Sequence, residues 1–282
     1  MNYRHAYHAG NFADVLKHAA LVAVIQHLKK KDTPFAVIDT HGGRGIYELG
    51  GAEAEKTGEA KAGIVRLLDE SALPGVLASY ADIVRSAGEG EYPGSPLITA
   101  KLLRPKDRLV AVEKHPEEHA VLASVLAPFS RARAVEGDGY AELKKLLPPP
   151  ERRGLVLIDP PFEDPAEFQK ASRALIEAHR RFATGIYLFW YPAKEKAAVA
   201  AAEGEIMNAG MQRLLKIELE VGNTGEAPLP GRGPRLTSAG LLIVNPPYGF
   251  AEEMQAILPY LAEKLAQGAG AGFTCEMLGI RE

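Results

Sequence analysis

Short apolar runs that end in an acid or a turn recur along this chain. After Pro34, Phe35-Ala36-Val37-Ile38-Asp39 reads as a buried strand, and the glycine-rich turn Gly42-Gly43-Arg44-Gly45 follows it. The same pattern predicts strands at 108–113, 131–135, 155–159 and 185–190, and two later ones at 213–221 and 239–245. Helix-like stretches lie between them at about 116–126, 139–147, 165–182 and 194–210. Another helix opens the chain. Asn11 stands in a capping position with Asp14 three residues on, and an apolar stripe follows through Val15, Ala19, Val22, Ala23 and Leu28. Strands that are apolar throughout and alternate with helices imply an α/β fold, with a mostly parallel sheet covered on both faces.

About seventy residues separate the first two strands of this pattern, far more than a simple crossover needs. Residues 46–104 are rich in Ala, Glu and Leu, with breaks at Leu73-Pro74-Gly75 and Tyr92-Pro93-Gly94-Ser95-Pro96. They read as a small helical insertion within one domain spanning 1–282.

Composition narrows the class without naming a function. Hydrophobic residues at 46% and charged residues at 24% suit a soluble protein with a substantial core. No segment approaches the roughly 18 consecutive apolar residues of a membrane span, and the first residues lead into no signal-peptide core. Cys275 is the only cysteine, so no intramolecular disulfide can form and a cytoplasmic location is expected. A net charge of −3 argues against non-specific coating of nucleic acid. Local basic clusters still offer backbone contacts: Lys29-Lys30-Lys31, Arg131 with Arg133, Arg152-Arg153, Arg180-Arg181, and Arg232 with Arg235.

The candidate chemistry sits at strand ends. A glycine turn after the first strand lets backbone approach a nucleotide closely, although such turns also serve as tight connections. The second strand ends in Glu113 and the third is followed by Glu136-Gly137-Asp138-Gly139. The glycine spacing is not that of a dinucleotide site, and Glu113 comes far later than an NAD-binding acid would. Three successive strands thus end near an acid, on the edge where open α/β sheets bind ligands.

The most specific signal follows the fourth strand, Asp159-Pro160-Pro161-Phe162. Consecutive prolines remove backbone donors and fix φ, so their carbonyls form a rigid acceptor edge. A carboxylate beside that edge suits a group with two N–H donors to give, such as an amino-purine, and the aromatic ring can stack on a flat base.

The order of glycine turn, acid, acid and Asp-Pro-Pro-aromatic resembles the amino-methyltransferases that modify adenine N6. The chain is similar in particular to the bacterial 23S ribosomal RNA adenine-N6 methyltransferases, the ribosomal RNA large subunit methyltransferase J family. The likeness lies in Tyr3-Arg4-His5, His8-Ala9-Gly10-Asn11, Ala13-Asp14-Val15-Leu16-Lys17-His18 and the Asp39-Thr40-His41-Gly42 turn. It continues in Tyr92-Pro93-Gly94-Ser95-Pro96 and Arg181-Phe182-Ala183-Thr184-Gly185-Ile186-Tyr187. The resemblance implies a seven-stranded, Rossmann-like class I methyltransferase sheet with the last strand antiparallel. It also implies an S-adenosylmethionine pocket built from His18, His41, Ser95, Glu113, Asp138, Gly139 and Asp159. Asp159, Pro160 and Phe162 would serve catalysis, and Tyr3 would touch the RNA. That family commonly has tyrosine where this chain has Phe162, which keeps the ring face but removes the phenol.

A second motif, Asn245-Pro246-Pro247-Tyr248, has a residue set used for amine and amide methylation, but follows the antiparallel strand and so should end on the opposite edge. His5 with His8, and His115 with His119, have ligand-like spacings that no further ligand completes, so no metal is expected. A monomer acting on 23S ribosomal RNA, with no membrane partner, is the resulting expectation. A DNA adenine methyltransferase and a catalytically silent RNA-binding module are the alternatives. Phosphate contacts are expected from the loop Gly231–Arg235, from Lys29–Lys31 and from Arg180-Arg181.

Overall fold

The computed structural model describes residues 8–50, 58–223 and 235–279; Tyr3, His5 and Arg232 lie outside them. Helix α1, Phe12–Lys29, starts where Asn11 accepts the backbone N–H groups of Ala13 and Asp14. Sequence periodicity suggests one buried stripe, yet nearly every position is buried, Asp14, Lys17 and His18 among them. The reason is tertiary. Helices from the insertion and from the chain's end pack against the faces that the sheet leaves open.

Strand β1, Ala36–Asp39, runs at the middle of the sheet. The segment after it is not purely helical, as its composition suggests. Strand β2, Ile46–Glu48, pairs antiparallel with β3, Glu91–Pro93, and the short helices α2, Glu59–Ala62, α3, Ile64–Leu68, and α4, Val76–Arg85, lie between them. Helix α5, Ser95–Leu102, then makes the crossover by packing on α1 and on β4, Arg108–Glu113. The two strands were hidden because each is only three residues long.

Alternation then proceeds as the apolar runs predict: α6, Pro116–Leu126; β5, Ala132–Glu136; α7, Gly139–Leu146; β6, Gly154–Ile158; α8, Glu167–Arg181; β7, Ile186–Pro192; α9, Lys196–Asn208. Strands β8, Leu214–Glu220, and β9, Ser238–Val244, follow, then helix α10, Phe250–Lys264, and β10, Gly272–Leu278. The sheet order is β10-β8-β9-β7-β6-β1-β4-β5, eight strands where seven were expected. The addition is β10, an edge strand antiparallel to β8, whose partly exposed residues form no apolar run. Strands β1, β4, β5, β6 and β7 are mutually parallel, while β9 runs antiparallel to both β7 and β8. No helix among the described residues is long and apolar enough to cross a membrane.

This order sets β1 between β4 and β6, so their ends converge on one edge. Close approach between β1 and β6 depends on Gly154. A Cβ there would stand 2.0 Å from the Ala36 carbonyl oxygen, and backbone in a paired strand cannot withdraw without opening the pair. Gly154→Ala is therefore expected to destabilise the fold by at least about 1–3 kcal/mol. Urea unfolding checks this, and an unchanged midpoint would show that the two strands can part without cost.

Candidate functional site

A cleft of about 750 Å³ opens at the carboxyl ends of β1, β4, β5 and β6. Its wall includes His18, His41, Ser95, Glu113, Asp138, Gly139, Asp159 and Pro160. Each is held by a specific local arrangement. Glu113 is buried at the end of β4, where its carboxylate accepts the Gly43 N–H at 2.8 Å and the His115 N–H at 2.7 Å. It thereby ties the glycine turn to the next loop. Asp138 caps α7 through the N–H groups of Tyr140 and Ala141, and its other oxygen meets Lys114 at 3.2 Å. The Lys114 pair is half-exposed and holds little on its own. Gly139 must be glycine, because a Cβ would lie 2.1 Å from the Thr40 carbonyl oxygen.

Asp39, at the end of β1, accepts the Ser95 hydroxyl at 2.7 Å and the His41 N–H at 3.2 Å. The Thr40 hydroxyl donates to the Leu157 carbonyl and lies 2.7 Å from His41 Nδ1. With its one proton committed, that hydroxyl must accept from Nδ1–H, which leaves His41 Nε2 as an acceptor. His41 also packs edge-on to Tyr140, with ring centroids 5.2 Å apart, and the Tyr140 hydroxyl donates to Glu167 at 2.8 Å.

The floor of the cleft holds a group that the sequence did not single out. Lys17, on α1, contacts Asp159 at 2.5 Å and Asp14 at 2.8 Å, and all three are largely shielded from water. Its ammonium also sits 5.8 Å above the Trp190 ring. Burial works against its charge, but the two carboxylates outweigh burial and hold its pKa well above the ordinary lysine value. The available signal was a lysine inside an apolar helix, three residues after an acid. Next to it, His18 lies 2.6 Å from the Tyr92 hydroxyl, which in turn lies 2.8 Å from that of Tyr80. This buried chain links the cleft to the insertion.

Phe162 is not among the residues that line the cleft; it has φ +51°, and its ring packs 4.7 Å from Phe168 and 5.7 Å from Trp190. Asn245 lies on the far edge, and its side-chain amide donates to the Ala183 and Gly185 carbonyls at 2.8 Å each. Of the histidines, His8 pairs with Glu59, and His119 lies 3.8 Å from Glu136. Among the described residues no three His, Cys, Asp or Glu side chains are grouped to hold a metal.

Comparison with known proteins adds to this geometry. Residues 32–276 match the family described as ribosomal RNA large subunit methyltransferase D, RlmJ. A ribosomal RNA large subunit methyltransferase J of Escherichia coli is 42% identical over 277 residues, covering 96% of both chains. One of the same name from Haemophilus influenzae is 38% identical over 283 residues, covering 99% of both. A crystal structure of a Legionella pneumophila protein is similar with a TM-score of 0.85 at 34% identity, covering 96% of this chain and 98% of that one.

Two buried titrations in the cleft oppose each other. Burial raises Asp39 from 3.8 to about 6, against the Ser95 hydrogen bond and with help from the nearby Asp159. Burial lowers His41 from 6.5 to about 4, although Asp159 and Asp138 favour its charged form. The raised carboxyl stabilises the fold fully below its unfolded pKa near 3.8, and that contribution is lost as pH rises through about 6. The depressed imidazole contributes above 6.5 and is lost as pH falls toward 4. Asp39→Asn removes only the first effect. Its stability relative to the parent should therefore improve by up to about 3 kcal/mol between pH 4 and pH 7. Melting curves of both proteins across that range check this, and a constant difference would contradict the raised Asp39.

Proposed function

Because the chain belongs to the RlmJ family of ribosomal RNA large subunit methyltransferases, we propose that it methylates the N6 amine of an adenine in 23S ribosomal RNA, with S-adenosylmethionine as donor and Asp159 as the acceptor of the amine's hydrogen. The observation that carries this reading is the Lys17–Asp159 pair at the cleft floor, beside the Pro160 backbone.

The residues fit such a donor. The cleft wall carries the acceptors Glu113, Asp138, Asp159, Glu163 and Glu167, and also Lys17, Arg44, Lys114 and Lys170. A nucleoside with hydroxyls to donate and positive charge at its other end suits that lining. Glu113 would take the ribose hydroxyls, Asp138 with the backbone at Gly139 the adenine, and Ser95, His18 and His41 the remainder of the molecule. When bound, S-adenosylmethionine supplies an electrophilic methyl group.

The chain's own part is to make an aromatic amine nucleophilic. The amine's lone pair is delocalised into the ring until its two hydrogens are accepted out of the ring plane. Asp159 and the Pro160 carbonyl form an acceptor edge for those hydrogens, since proline contributes no competing N–H. Lys17 occupies one side of Asp159, leaving its other lone pairs for the base. The proton released on methylation passes to Asp159 and on to solvent. The base must leave its stack to enter the cleft. Phe162 packs against Phe168 behind the acceptor edge, so it supports that edge rather than meeting the base first.

Asp159→Ala and Asp159→Asn are both expected to lower methyl transfer at least about 10²-fold. The asparagine fails for a reason particular to this site: Lys17 would claim its carbonyl oxygen and turn the NH2 group toward the substrate amine. The alanine would also be less stable, because Lys17 loses one of its two counter-charges. Tritium transfer from labelled S-adenosylmethionine to 23S ribosomal RNA or to DNA is the measurement. Full turnover by either variant would remove Asp159 from the role, and transfer to DNA alone would reassign the substrate.

A further inference from the structure

The edge of the sheet opposite the cleft carries a row of cations that the catalytic reading does not use. Parallel strands begin there, and hydrogen bonding fixes their order as β5, β4, β1, β6, β7, then β9 and β8. Arg131 precedes β5, Lys31 lies before β1, Arg152 before β6, Arg181 before β7 and Arg213 before β8. Backbone bonds bring these starts together: Leu109 N–H to the Arg131 carbonyl, Ala36 N–H to that of Arg153, and Asn245 N–H to that of Arg213. All five cations are exposed, and none is in an ion pair with an acid among the described residues. Seven strands at about 4.8 Å spacing make the row about 29 Å long.

An aromatic ring stands on the same edge. Tyr248 is 93% exposed, and its Pro246-Pro247 support is pinned by Arg213 to the Pro246 carbonyl at 3.0 Å and by Asn245 to the start of β7. The Asn-Pro-Pro-Tyr motif is thus a rigid mount for an exposed ring, with its amide consumed by backbone. The cleft is lined by Glu117, Glu163 and Asp164 and also by Arg44, Lys114 and Lys170. In a chain of net charge −3, these five exposed cations lie on the edge away from its chemistry, beside Asp32 and Glu151, which pair with Lys106 and Arg108.

We propose that this edge is a second RNA-binding surface, contacting a segment of the same large RNA remote from the methylated base. The proposal rests on the ribosomal RNA reading given above. Unpaired cations in a row match a phosphate backbone, and the exposed tyrosine offers a stacking platform for an unpaired base. One strand length, about 20 Å, separates the row from the cleft, so a short substrate seated in the cleft does not reach it.

The test uses the full-length protein and two probes, protein-free 23S ribosomal RNA and a short hairpin carrying the acceptor adenine. The variant K31E/R131E/R152E is expected to weaken binding to 23S ribosomal RNA at least tenfold and to reduce the slope of log affinity against log salt by about 2–3. Its turnover on the hairpin should equal that of the parent, which also reports an intact fold. Tyr248→Ala should weaken 23S ribosomal RNA binding several-fold with the salt slope unchanged. The neutral set K31Q/R131Q/R152Q should fall between parent and charge reversal. Unchanged affinity and slope on 23S ribosomal RNA would overturn the proposal and leave the edge to an acidic protein or to solvent. Equal losses on both RNAs would overturn it too, by placing the row in contact with the hairpin. Parent protein that methylates neither RNA removes the ribosomal RNA reading itself, a result distinct from parent turnover with indifferent variants.

Discussion

A lysine held in the interior by two carboxylates governs the arrangement of this molecule. Lys17 belongs to the first helix, Asp14 precedes it by three residues, and Asp159 ends a strand far along the chain. An ammonium so deep in the protein relies on both partners, and losing either leaves a poorly compensated buried charge. The helix must therefore lie across the end of β6 in one rotation, with Lys17 facing the sheet's carboxyl edge. That rotation also fixes His18 against Tyr92 and brings the insertion to the cleft wall. The interaction stabilises the protein less than it specifies one geometry, since apolar residues of similar volume would pack there at less cost.

The same economy appears at the other acids. Glu113 and Asp138 are engaged by backbone N–H groups before any ligand arrives, so their orientation is fixed in advance. Asp39 lies deeper and is satisfied by Ser95 and His41, a supporting position rather than a place on the cleft wall. The site is built from strand ends and the residues just past them, so its precision derives from the sheet and its rim adapts through the loops.

Much of this was legible in residue order because a buried parallel strand must be apolar throughout, and an acid at its end stands out. Asp39, Glu113, Asp138 and Asp159 announced themselves in that way. Lys17 did not, because helical spacing within α1 cannot reveal a partner 142 residues away. Nor did the direction of Phe162, since a motif gives residue type while the backbone φ decides which way the ring turns. Strands β2 and β3 escaped notice through brevity and β10 through its partly exposed edge position. The basic clusters were visible one at a time. Their alignment along one edge follows only from strand order, a property of the fold rather than of any local segment.

The first helix is enclosed by elements from both halves of the chain, including α10 near its end. A ribosome releases such a chain from its amino end, so the helix emerges long before β6 or α10 exists to cover it. Until then Lys17 has only Asp14, and the apolar faces of the helix stay open to water or to a chaperone. Contacts of such high sequence separation slow folding and prolong the exposure of apolar surface. A chain truncated before residue 159 lacks the second counter-ion of its own first helix, and one truncated before residue 250 also lacks the last helix that covers it.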